Sequence, residues 1–519
     1  MPDKDAFSEL IQQGYHFKGE QFRIGTPVLN GEVIPGSHVL IPLRTMNRHG
    51  LIAGATGTGK TKTLQVITEG LSNASVPVLL MDIKGDLSGI AAAGMENDKI
   101  KERMAKMGGN YTPAAYPVEL LTLSNEKGVR LRATVTEFGP ILLSKILGLN
   151  TTQEGVVAMI FKYCDDNGMP LLDLKDFIKV LQYVSNEGKA VIEKEYGKIS
   201  TSTTGTIMRK VIELQQQGAD VFFGEPSFEI DDLMRIADDG RGIVSVLRVT
   251  DMQTRPKLFS TFMLSLLAEL YATLPEEGDL EKPKLIMIID EAHLVFQEAT
   301  DALLQQIETV IKLIRSKGVG IFFCTQNPQD IPASVLSQLG LKVQHALRAF
   351  TAADRKTIKQ AAENYPETDF YDVDELLTQL GIGEAFVTLL NEKGIPTPLV
   401  HTMLVPPQSR MDVLSDEEIE ALVNKSKLVR KYAETDDTKS AYEILNAKME
   451  EAAAKSEERV AEKKGSARRE KSTIEQVLDN SVTRQIGRTA ASVITRSLLG
   501  ALGLGGRSST RKRKNTSWL

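Results

Sequence analysis

The apolar positions of this chain fall into two arrangements that take turns along much of its length. Short, mostly apolar runs lie at residues 50–53, 76–81, 242–249, 285–289 and 320–325. Runs of this length predict strands buried on both faces, as in parallel sheets. Between them, residues 61–72, 257–273 and 299–317 carry apolar positions three and four apart, which predicts helices with one buried side. Further strands are expected near 343–350 and 384–390. Alternation of this kind specifies an α/β fold with a doubly wound, mainly parallel sheet.

The flanks of that core read differently. Residues 1–45 hold short β-like pieces at 22–24 and 39–41 with the turns Asn30-Gly31 and Pro35-Gly36. They predict a short β-rich segment, either a small cap or strands on the edge of the core. Residues 91–240 are mainly helical in spacing, notably at 171–196 and 207–217, and predict a helical insertion that splits the core into 46–90 and 241–405. After Pro406-Pro407 the composition shifts, so 406–519 reads as a charged, helical and partly disordered tail. Within it, 452–471 is charged enough for a solvated helix or linker, and 474–504 could form an amphipathic helix.

Bulk properties narrow the class. The 519 residues leave room for one large α/β domain with additions, and 42% hydrophobic with 25% charged content is ordinary for a soluble protein. Two cysteines, Cys164 and Cys324, are too few for a disulfide framework, and Cys324 in IFFCT reads as a small buried residue. The first residues lack the basic and apolar regions of a signal peptide, and no window has 18 uninterrupted apolar residues. A cytoplasmic protein without a transmembrane segment is expected. The net charge of −6 includes a basic stretch, residues 507–514, with five positive charges. The rest is therefore more acidic still. Nucleic acid would have to be met by a local patch, a pore or the tail, because the overall field repels phosphate.

Chemistry enters at the first core strand. Residues 50–53 lead into Gly54-Ala55-Thr56-Gly57-Thr58-Gly59-Lys60-Thr61, and a helical pattern follows whose Thr63 is expected to bind nucleotide with the loop. This is the G-x-x-x-x-G-K-[ST] phosphate loop between a strand and a helix. Glycines let several N–H groups converge on one anion, and the helix N-terminus adds partial positive charge. Lys60 would reach the β- and γ-phosphates of ATP, and the Thr61 hydroxyl would hold Mg²⁺. Asp290 and Glu291 end the apolar run 285–289. Asp290 would hold Mg²⁺ through water, and Glu291 would polarise the attacking water. Gln326 ends the next strand, beside Glu291 in a parallel sheet, where it could sense the γ-phosphate. Asp82, at the end of 76–81, is either a water-ordering group or a cap for the following turn.

These segments together resemble the HerA/FtsK superfamily of ring-forming P-loop ATPases. MNRHGLIAGATGTGKT, MDIKGD, GADVFFGEPSFEIDDLM, LIMIIDEAH and SKGVGIFFCTQNPQDIPASVLSQLG resemble its HerA-like, YjgR-type branch. The resemblance spans residues 46–340 and extends weakly to the glycine-rich, basic C-terminus. It implies a RecA-like core, a homo-oligomeric ring of six, ATP bound between neighbours, and double-stranded DNA in the pore, with a nuclease or other protein as a further partner. It also implies an arginine finger acting across the subunit interface. Arg315 fills that slot, with the C-terminal charge of a helix before Gly318 as its plainer reading; Arg348 is the second choice. Two features depart from the pattern: residues 1–45 are too few for a full N-terminal β-barrel, and no winged-helix DNA reader is apparent. An ATP-controlled scaffold or switch that binds protein partners, and a peripheral membrane or secretion ATPase anchored through 474–519, are the competing functions.

Overall fold

The computed structural model describes residues 4–450, except 125, 279, 297–300, 350 and 434–438. The expectations for residues 452–519, the amphipathic helix and basic tail included, lie outside the described residues. Among those described, thirteen strands join in one sheet. The first three are β1 (Gln21–Leu29), β2 (Glu32–Val33) and β3 (Val39–Pro42). The core strands are β4 (Gly50–Ala53), β5 (Val78–Asp82), β6 (Val118–Thr122), β7 (Val129–Arg130), β8 (Val244–Arg248), β9 (Leu285–Ile289), β10 (Val319–Thr325) and β11 (Leu341–His345). Two more, β12 (Glu384–Thr388) and β13 (Val400–Leu404), complete it.

The order β11-β4-β10-β9-β5-β8-β6-β7 is parallel throughout, and β12, β13, β1 and β2 extend it antiparallel from β11, with β3 on β1. Unbroken apolar strands are needed here because both faces are covered. In β9, Leu285, Met287 and Ile289 pack into the core that holds Phe259, Leu266, Ile307 and Ile311. Ile286 and Ile288 point the other way, into the core with Leu64, Ile67 and Leu71 of the helix Lys60–Asn73. The period of two along the strand sends alternate residues to opposite layers. This is the doubly wound, mainly parallel sheet that the apolar pattern specifies.

Three expectations about the flanks are corrected. Residues 1–45 are not purely β-rich: the helix Lys4–Gly14 precedes the strands, which lie on the edge of the core and do not form a separate cap. The segment 91–240 is not wholly helical. Its ELL run pairs with β8, so β6 and β7 belong to the parallel sheet, between the helix Asp98–Lys106 and the helices that follow. The strand expected over 343–350 ends at His345, and Phe350 lies outside the described residues.

The residues after Pro406 begin as a strap along the helix Lys60–Asn73. Buried Glu69 accepts the Gln408 and Ser409 amides, each at 2.9 Å, and the Ser409 hydroxyl at 2.6 Å. Gln65 donates to the Arg410 carbonyl at 3.1 Å, and Lys62 contacts that of Met411. Five backbone or side-chain groups of the strap thereby tie it to the helix that follows the phosphate loop.

His49, just before β4, ties the opposite end of the sheet. Its Nε2 donates to the Ile311 carbonyl at 2.9 Å, and its Nδ1 accepts from Ile321 N–H at 3.0 Å. Burial pushes its pKa down to about 4; the Ile311 bond resists and the Arg315 charge adds to the fall. The folded value lies below the unfolded one, so stability is complete above about pH 6.5 and is lost as pH falls toward 4. We expect this residue alone to remove about 3 kcal/mol over that window. Urea unfolding at pH 7.5 and 4.5 checks it: His49→Gln should show a shallower loss than the unaltered chain, and an equal slope would refute the assignment.

Candidate active site

The phosphate loop hangs between two neighbouring strands. Gly54 N–H donates to the Thr325 carbonyl at 3.3 Å, and Ala55 N–H to that of Ala346 at 2.8 Å. Gly54 has φ +151°, and a Cβ there would lie 2.4 Å from the Cβ of His345, so only glycine fits. Thr58 closes the turn by donating its hydroxyl to the Ala55 carbonyl at 2.7 Å, while its own carbonyl takes Gly383 N–H at 3.0 Å. Thr56 and Gly57 form the exposed rim. Gly59, at φ +112°, starts the helix with no side-chain cap, so its first N–H groups and positive dipole end face the loop.

Lys60 is buried, and its ammonium donates to the carbonyls of Gly54 at 2.6 Å and Ala55 at 3.1 Å. Burial lowers its pKa, the charge of Lys84 adds to that, and Glu291 and Asp290 oppose it. Thr61 is half-buried at the same helix end. Thr63 points inward instead: its hydroxyl meets His345 Nε2 at 2.8 Å and the Gly59 carbonyl at 3.3 Å. That contact holds the loop and turns Thr63 away from its mouth.

The acid pair opens on the same edge. β10 lies between β4 and β9, so about 10 Å of sheet separates the loop strand from the acid strand. Register levels them: Thr325 pairs with Ala53, Phe323 with Ile289, and Ala292 N–H donates to the Cys324 carbonyl at 2.9 Å. Asp290 is 1% exposed and its Oδ2 has no hydrogen-bond partner among the described residues. Burial raises its pKa, Lys84 opposes that, Glu291 adds to it, and a bond from the Cys324 thiol lowers it. Glu291 takes φ +48°, a left-handed backbone that costs on the order of 1–3 kcal/mol in a non-glycine residue. Its carboxylate meets Lys84 Nζ on one oxygen and His293 Nδ1, at 3.2 Å, on the other.

An unpaired, buried carboxylate oxygen on the sheet edge that carries the phosphate loop fits Mg²⁺. Among the described residues no group of three or more His, Cys, Asp or Glu could cage a metal. One carboxylate, one hydroxyl and a phosphate is the sparse donor set that magnesium accepts, with water filling the remainder. Gln326 ends β10 on this edge and lines a cleft of about 610 Å³ with His293, Phe296, Asn327 and Asp330.

Asp82 is a turn cap. Its carboxylate accepts the amides of Gly85 at 2.7 Å, Asp86 at 3.1 Å and Leu87 at 3.1 Å. Burial pushes its pKa up to about 6 against those bonds. The two arginines part company. Arg315 is exposed and precedes β10, so the length of that strand, roughly 20 Å, separates it from its own phosphate loop. Arg348 is also exposed but follows β11, two residues after the carbonyl that holds Ala55.

The helicase HerA-like C-terminal family matches residues 29–509. The chain belongs to that HerA-like family. This HerA-like chain is 22% identical to the DNA double-strand break repair helicase HerA of Saccharolobus solfataricus, over 74% of its own length and 69% of that protein. With the protein of the same name from Sulfolobus acidocaldarius it shares 20% identity, over 70% of its own length and 66% of that one. It thus spans about two thirds of the relatives it matches. The bacterial conjugative coupling protein TrwBΔN70 superposes with a TM-score of 0.50 at 13% identity, covering 78% of this chain and 95% of that one. The likeness is one of fold, a RecA-like core.

Sequence reasoning missed three residues of this HerA-like site. Lys84 stands in the MDIKGD segment, and its signal was its place two residues past a strand end beside the acid strand. His345 closes β11 under the loop, where burial and Lys60 push its pKa down to about 3. Nothing local marks it. His293, two residues after Glu291, was visible in DEAH but had no assigned partner.

Proposed function

We propose that this HerA-like ATPase works as a motor, a ring of six subunits that couples ATP hydrolysis to movement along double-stranded DNA. The observation that carries the reading is the shared edge: phosphate loop, Asp290, Glu291 and Gln326 all open on one end of the parallel sheet, around β10. Lys60 would leave the Gly54 and Ala55 carbonyls for the β- and γ-phosphates. Thr61 and Asp290 would hold Mg²⁺, which when bound supplies charge to neutralise the phosphate oxygens. Glu291 would accept a proton from the attacking water while Gln326 orients it. Arg315 is too far from its own loop to help, so its role would be in a neighbour's site. The helicase names of the relatives support nucleic acid as the track.

The test is ATP turnover of the full chain with and without duplex DNA at rising salt, paired with mass measurement. A DNA-stimulated rate that falls with salt, on a six-subunit particle, is expected. Turnover indifferent to DNA, with nucleotide altering only assembly, would overturn the motor in favour of a switch.

A further inference from the structure

Glu291 is engaged on both oxygens, and this bears on when it can act. Lys84 reaches it from the turn after β5, a turn fixed by the three amides on Asp82 and by Gln253, which donates to the Ile83 carbonyl at 2.8 Å. His293 holds the second oxygen. While both oxygens are so held, the carboxylate is not free to turn toward an attacking water. The side chain of Lys84 is 35% exposed, in contrast to Glu291 at 8%, so the lysine is the partner free to move. Lys84 stands on the loop's edge of the sheet, after the strand that neighbours β9, and its contact with Glu291 sets it next to Asp290. In this state two cations, Lys60 and Lys84, face two anions, Asp290 and Glu291. A terminal phosphate entering with further negative charge offers Lys84 a stronger partner than Glu291.

We infer that Lys84 is a positioning residue that holds Glu291 until a γ-phosphate draws it away. The inference rests on the reading of the site as one for Mg–ATP. Lys84 then reports the difference between a triphosphate and a diphosphate, because only the former presents a phosphate within its reach. Release of Glu291 follows arrival of the scissile group, so the base is freed only when there is something to hydrolyse.

The test is calorimetric titration of the full chain with Mg–ADP and with the magnesium complex of a β,γ-imido analogue of ATP. In Lys84→Met the analogue should bind about tenfold more weakly and ADP within about twofold of the unaltered chain. Lys84→Arg should keep most of the preference. Glu291→Gln, which unties Lys84 in advance, should tighten the analogue but not ADP, and the gain should vanish in the double variant. Equal losses for both nucleotides in Lys84→Met, or none, would overturn the inference. If that variant does not fold, the Glu291→Gln arm decides alone, and absence of tightening overturns it. Lys60→Ala separates the two levels: lost nucleotide binding there with an indifferent Lys84 sinks only the latch, whereas retained binding sinks the site.

Discussion

Glu291→Gln is expected to lower ATP turnover by a factor on the order of 10² to 10⁴ while nucleotide binding is kept or tightened. The amide preserves shape and the contact with His293 but cannot accept a proton from water. The left-handed backbone at Glu291 supports the assignment, because strain of that kind persists only where the surroundings hold it. Single-turnover hydrolysis alongside a binding isotherm separates the two effects. A variant that hydrolyses ATP at more than about a tenth of the original rate would remove Glu291 from the role of base. The same variant reports on Arg315. Mixed with Arg315→Ala subunits, it should regain part of the activity, since each kind of subunit supplies what the other lacks at a shared interface. No regain at any ratio would count against Arg315, and Arg348, on the loop's side of the sheet, would be next.

Lys60→Ala is expected to weaken binding of Mg–ATP by roughly two to three powers of ten, the loss of about two charge-assisted contacts to phosphate. The effect is large because Lys60 is buried and its charge is already partly desolvated, so nothing in solvent replaces it. The same ammonium is held by the Gly54 and Ala55 carbonyls, and its removal leaves those two acceptors without it. A fluorescent ATP analogue titrated against both chains measures the change. Affinity within about fivefold of the original would mean that the loop binds something other than a triphosphate.

The phosphate loop, the acid pair and the glutamine strand were legible without coordinates because each is written locally, as a run of apolar residues with its chemistry at the end. Asp82 was open between two readings, and only the turn it caps decided them. The span 91–240 was misread in part, because β6 is five residues long and its partner β8 lies more than a hundred residues away. A short apolar run in a helical neighbourhood carries no sign of that pairing. The strap over Glu69 was equally invisible, since what holds it is a buried carboxylate 339 positions from Gln408 in sequence but adjacent in space.

What the amino-acid order determined by itself is the alternation of buried strands and helices, and the residue types that stand at the strand ends. Both follow from contacts between near neighbours, from periodicity and from the conformational freedom of glycine. Tertiary structure alone decided the strand order, and with it which strand ends meet. Placing β10 between β4 and β9 is a long-range choice, and it brings loop and acids to one edge. It also carries Lys84 onto Glu291 and sets His345 beneath Gly54, pairings between residues 207 and 291 positions apart that no local pattern encodes.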